Sequence, residues 1–73
     1  MRPIADVLRD HTAELIRLPG VVGTGEGREG GHPVLLVLVR SRAAAEGAAI
    51  PKVIEGYAVR IREVGEVKAD SSP

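Results

Sequence analysis

The chain has 73 residues, enough for one small domain, and a domain of this size buries only roughly 60% of the surface its unfolded chain exposes. It contains no Cys, Phe or Trp, one Tyr and two His, which excludes disulfides, thiolate metal ligands and a cysteine nucleophile and leaves little to build a metal site or a cofactor pocket. Ten basic and ten acidic residues give a formal net charge of zero, so no overall field draws the chain to nucleic acid or an anionic membrane.

The core must therefore be built from Val, Leu, Ile and Ala. Domains this small commonly add disulfides, metal or a partner chain to a thin core. With the first two removed by composition, association with a second chain is the expected supplement, and we expect a homo-oligomer with no cofactor. The start, MRPIADVLRD, is interrupted by charges and does not read as a signal peptide. The longest apolar run is far short of the ~20 residues a membrane span needs, so a soluble, cytoplasmic protein is expected.

Ile4, Val7, Leu8, His11, Leu15 and Leu18 recur at three- and four-residue steps with charged residues between them. This predicts an amphipathic helix of about four turns, with Pro3 in its first turn and Pro19-Gly20 ending it. Asp6 and Asp10 nearer the start and Arg17 near the end suit the helix dipole. Gly20 to Thr24 is read as a strand that breaks up in the following glycines. Val34 to Val39, VLLVLV, is the strongest strand signal. Because its apolar residues do not alternate with polar ones, both faces are expected to be covered, one by the helix and the other by a second subunit.

Residues 42–47 are alanine-rich and predict a short second helix ending at Gly47. Ile50 to Gly56 reads as an extended lead-in because Pro51 biases Ile50 away from helix. Tyr57, Val59 and Ile61 alternate with Ala58, Arg60 and Arg62, the pattern of a half-buried strand. A further extended piece is expected at Val64 to Val67 after a break at Gly65, and residues 1–2 and 69–73 are expected to fray. No repeat or linker divides the chain, so residues 1–73 are read as a single domain.

The stretch GEGREG, Gly25 to Gly30, matches the letters of a dinucleotide-binding turn. Such a turn needs a helix immediately after the glycines to hold the pyrophosphate, whereas here His32-Pro33 and a strand follow. Glu26 and Glu29 would also place negative charge beside a phosphate. A hairpin with its tip at Arg28-Glu29-Gly30-Gly31 is the better reading.

The pattern LPGVVGTGEG, a glycine-containing turn, PVLLVLV, then IPKVIEGYAVRIREVG resembles small bacterial α+β modules that occur alone and near the front of trypsin-like peptidase chains. The resemblance covers Leu18 to Gly65 and rests on glycines, prolines and apolar residues. It implies a fold and an accessory role beside a peptidase, and it carries over no catalytic residue, since no Gly-Asp-Ser-Gly-like segment is present.

Few residues offer chemistry. His11 falls on the apolar stripe of the first helix and is expected at the core edge, and His32 is expected to face solvent. A Ser-His-Asp arrangement would have to recruit Ser41, Ser71 or Ser72, none of which lies in a nucleophile elbow. Glu63 and Glu66 are the nearest approach to a carboxylate pair and are read as solvated charge. Arg40 and Arg42 at the end of the central strand, with Arg60 and Arg62 on the last, could converge to bind an anion or a nucleic-acid backbone. The alternative is that these arginines are exposed and paired with Glu55 and Glu63. Tyr57 alone makes no stacking platform, which disfavours nucleic acid.

The expected architecture is α+β: the N-terminal helix packed on a three-stranded, mainly antiparallel sheet, in strand order 2-1-3 or alternatively 1-2-3. The expected function is that of a non-enzymatic interaction module, burying Val34, Leu36 and Leu38 together with Val37 and Val39 against a second copy.

Overall fold

The structure, a computed structural model, describes residues 2–64. Six elements follow in order: α1 (Ile4–Ile16), β1 (Val21–Glu29), β2 (His32–Val39), α2 (Arg42–Ala48), β3 (Val53–Ile54) and β4 (Tyr57–Glu63). The class is α+β, a helix packed on a mixed sheet with a second short helix.

The Pro3 carbonyl accepts from the Asp6 and Val7 amides at the start of α1, as suits a residue that cannot donate there. The helix buries Val7 and Leu15, and Thr12 Oγ1 meets Thr24 Oγ1 at 2.9 Å, fixing it over β1. Leu18-Pro19-Gly20 then turns the chain into the sheet, with the Val21 amide donating to Leu18 O. Gly20 sits at φ +83°, and a Cβ there would collide with the Ala44 methyl of α2.

β1 does not break up in its glycines; it runs on to Glu29 and pairs antiparallel with β2, with an irregularity between Val21 and Gly23. Backbone pairing to the strongly β-forming VLLVLV run holds a segment whose own propensity is poor. The loop is Gly30-Gly31, both at positive φ, closing on the Glu29–His32 pair as a hairpin of this twist requires. GEGREG is thus the second half of a hairpin strand and the start of its turn.

The sheet has four strands in the order β1-β2-β4-β3. The 2-1-3 order is therefore corrected: the last long strand pairs with β2, not with β1, and it does so in parallel, Leu35 opposite Val59 and Val37 opposite Ile61. A parallel neighbour needs a crossover rather than a tight turn, and α2 supplies it. Ser41 caps α2, its Oγ accepting from the Ala44 amide at 3.2 Å. The helix runs through Gly47 to Ala48 and ends with Ala49 in the left-handed region. The expected lead-in contains β3, which forms a small antiparallel hairpin with β4 around Glu55-Gly56, both at positive φ. The expected break at Gly65, the extension to Val67 and the C-terminal tail lie outside the described residues. Val64 carries the ladder on, its amide donating to Val39 O.

One face of this sheet holds the core. Leu35, Val37 and Val39 of β2 are fully buried together with Val7 of α1, and Val21, Val59, Ala45 and Ile54 join them. Both helices pack on this side. Among the described residues no helix is long and apolar enough to cross a membrane.

Candidate functional site

Side chains alternate across a strand, and residues directly opposite in a register share a face. The side away from the helices therefore carries Leu36 and Leu38 of β2, opposite Gly25 and Gly23 of β1 and opposite Arg60 and Arg62 of β4. Val34 lies on the same side opposite Gly27, and Val53 opposite Ala58. No element of the described chain covers this face.

Its surface is shaped by the period-two glycines of β1. A Cβ at Gly27 would come within 3.1–3.2 Å of the Leu36 side chain, and one at Gly23 within 3.5 Å of Leu38. The leucines thus lean over the bare backbone of β1 and become half-buried without a second layer. Val34 is buried beneath a cleft of about 600 Å³ at the hairpin end, which His32, Pro33, Tyr57, Ala58 and Arg60 help to line. Val53 remains 60% exposed.

The expected interface is thereby divided. Val37 and Val39 point into the helical core and are fully buried, so they are not available to a partner, whereas Leu36 and Leu38 face outward with Val34 below them. Within the described chain the second face of this strand is covered only in part, where Leu36 and Leu38 lean over the glycines of β1.

The arginines do not form one cluster. Arg42 is the first residue of α2 rather than a strand residue, and the Arg40 amide, just past β2, donates to Gly20 O. Arg60 Nε donates to Glu29 Oε1 at 2.7 Å, so its partner is neither Glu55 nor Glu63. Arg60 and Arg62 remain side by side on the open face.

Glu55 is engaged elsewhere. Its carboxylate accepts from Arg2 Nε and Nη2 at 3.0 and 2.8 Å and lies 2.9 Å from His11 Nε2, while Arg2 also reaches Asp10 at 2.8 Å. Tyr57 Oη donates to the Arg2 carbonyl at 2.7 Å. The group ties the chain start and α1 to the β3–β4 turn, and it holds Glu55 at φ +49°, a region an L-residue occupies only at some cost. Sequence reasoning placed Glu55 with the arginines of the sheet. The missed signal was Glu55-Gly56 between Ile54 and Tyr57, a two-residue hairpin loop ending in glycine.

Arg2, followed by His11, pulls the Glu55 carboxyl down to about 2 from 4.5, and Glu55 raises His11 above its usual 6.5. A lowered carboxyl contributes stability that is present above its unfolded value and lost as pH falls from 4.5 toward about 2. A raised imidazole contributes stability that is present below 6.5 and lost as pH climbs through its folded value. Thermal melts of the wild type and Glu55→Gln should therefore differ most near pH 5 to 6 and converge as the pH approaches 2. A difference that is constant across this range would contradict the ion-pair assignment.

Ser41 is committed to its helix cap and stands at the opposite end of β2 from His32, so the two do not form a nucleophile and base. Ser71, Ser72 and Glu66 lie outside the described residues. Among the described residues no three His, Cys, Asp or Glu gather as metal ligands. The chain matches no protein-family model, no curated protein and no solved structure, so what its site does is argued from this geometry.

Proposed function

We propose that the chain is a non-enzymatic interaction module that joins a second copy of itself through the open face of its sheet. The observation that carries this reading is that both helices lie on one side of the sheet, leaving Leu36, Leu38 and Val53 on the other with no second layer among the described residues. An aliphatic core that occupies one side of a small sheet gains most by stacking the other side on a like surface, since apolar burial contributes roughly 25 cal/mol per Å². The face also carries both signs of charge, Glu29 with Arg60 and Arg62, which suits a self-complementary surface.

Light scattering tests the reading directly. The wild type is expected at twice the mass of the chain, and Leu36→Asp or Leu38→Asp is expected at the mass of one chain with an unchanged circular dichroism spectrum. A wild type that stays monomeric up to millimolar concentration overturns it.

A further inference from the structure

Across the open face the three long strands present lanes of different height, with Val53 of β3 beyond them. β1 contributes only backbone at Gly23, Gly25 and Gly27, β2 contributes Leu36 and Leu38 with Val34 buried at their end, and β4 contributes Arg60 and Arg62. The face is therefore low along one side, apolar in the middle, and high and cationic along the other. Its one carboxylate among the described residues, Glu29, stands at the end of the glycine lane.

We propose that two copies pack face to face about a two-fold axis running along β2, so that the arginine lane of each copy lies over the glycine lane of the other. The inference rests on the reading that this face joins copies of the chain, and it adds which way round they meet. Two stacked sheets can be related by a two-fold axis along the strands or by one across them. An axis across the strands sets β1 on β1 and β4 on β4. The open position at Gly25 would then face the β1 of the other copy, leaving a void, while guanidinium groups would oppose guanidinium groups.

An axis along β2 exchanges the sides. The long aliphatic stem of Arg60 lies in the space that Gly25 leaves open, Arg62 runs beside the Leu38 side chain that leans toward Gly23, and the leucine lanes meet at the centre. Sheets in such stacks stand about 10 Å apart with side chains interdigitating, so a high lane needs a low one opposite. Charge follows the same rule. Within one chain Arg60 already reaches diagonally across β2 to Glu29 at 2.7 Å, and an arginine arriving over Gly25 from the other copy is offered the same carboxylate. The open position at Gly25 is thus matched to the bulk of Arg60 in the same row.

The chain has no cysteine, so single-cysteine variants report position without a background. Gly25→Cys is placed where an added Cβ meets nothing within 4 Å, and Arg60→Cys lies in the same row of the sheet, since both residues stand opposite Leu36. Each variant alone and an equal mixture of the two are treated with a short bismaleimide. The mixture is expected to cross-link Gly25→Cys to Arg60→Cys, with several-fold less product from either variant alone. Products formed mainly by each variant with itself would establish the axis across the strands and overturn the proposal. A dimer seen by light scattering that forms none of the three products would also overturn it, placing the interface elsewhere. A monomeric wild type would instead remove the reading beneath it. Gly25→Leu supplies an independent check: an added Cβ there meets nothing within 4 Å in the single chain while a leucine fills the open position of the lane, so dimerisation should weaken by roughly tenfold or more while the circular dichroism is unchanged. Undiminished dimerisation by Gly25→Leu would overturn the proposal.

Discussion

Gly20→Ala is expected to destabilise the fold by about 2–4 kcal/mol, the sum of forcing an L-residue to positive φ and of overpacking a closed contact. For a domain of this size that corresponds to a fall in melting temperature of roughly 10–30 °C. Two separate demands meet at this residue. It stands at φ +83° to turn the chain from α1 into β1, and it lies so close to α2 that a Cβ would collide with the Ala44 methyl. The Ala44 side belongs to a helix fixed by the Ser41 cap and by burial of Ala45 and Ala48, so it has little freedom to withdraw. Gly30→Ala separates the two effects. Gly30 is also at positive φ, +56°, but an added Cβ there meets nothing within 4 Å, and the cost should be only about 1 kcal/mol. Thermal denaturation of both variants measures the difference. Equal losses would mean that the docking of α2 on Gly20 does not constrain the fold.

Leu35→Ala should cost about 3–5 kcal/mol, as removal of a fully buried leucine side chain does when the surroundings cannot collapse into the space. Leu35 is 0% exposed at the centre of the sheet, beneath α1. With no aromatic ring larger than Tyr57 to rearrange, the cavity would remain. Since a domain of this length has a total stability of only about 4–10 kcal/mol, the variant should be close to unfolded at room temperature in urea well below the wild-type midpoint. The neighbouring Leu36→Ala should cost about 1–2 kcal/mol at a concentration where the chain is monomeric, because its side chain is only partly buried and no second layer packs on it. Urea titrations of the pair check the assignment of faces. Similar losses at the two positions would contradict the alternation that places Leu36 on the open side.

Much of the helical part was legible because its signals are local. The three- and four-residue spacing from Ile4 to Leu18 and the Pro19-Gly20 stop depend on neighbouring residues alone, and α1 spans Ile4–Ile16 accordingly. The glycine pair at 30–31 likewise marked a hairpin, because few residues other than glycine accept both positive φ angles of a two-residue turn. The end of β1 was misplaced for the opposite reason. TGEG has poor strand propensity, and it is extended only because β2 pairs with it. The spacing of Gly23, Gly25 and Gly27 at period two was visible in the chain, but it reads as a lane on a face only once the neighbours of that face are known.

The candidate interface divides in the same way. The sequence pointed to VLLVLV as the strand around which everything packs, and composition pointed away from disulfides and thiolate metal sites. It could not tell Leu35, Val37 and Val39 from Leu36 and Leu38, since a strand with apolar residues at every position has no period to show which set faces the helices. Nor could it join Arg2 and His11 to Glu55, residues 53 and 44 positions apart.

What the sequence by itself determined is the set of local elements, an aliphatic core without rings, and the identity of the central strand, because these follow from composition and from spacing within a few residues. Only the tertiary structure decided that β4 lies parallel to β2, that both helices cover one face, and that a glycine lane and an arginine lane flank the leucines on the other. Those outcomes depend on which surfaces meet across long stretches of chain, and such pairings are selected by the burial and hydrogen bonding of the whole sheet rather than by any one segment.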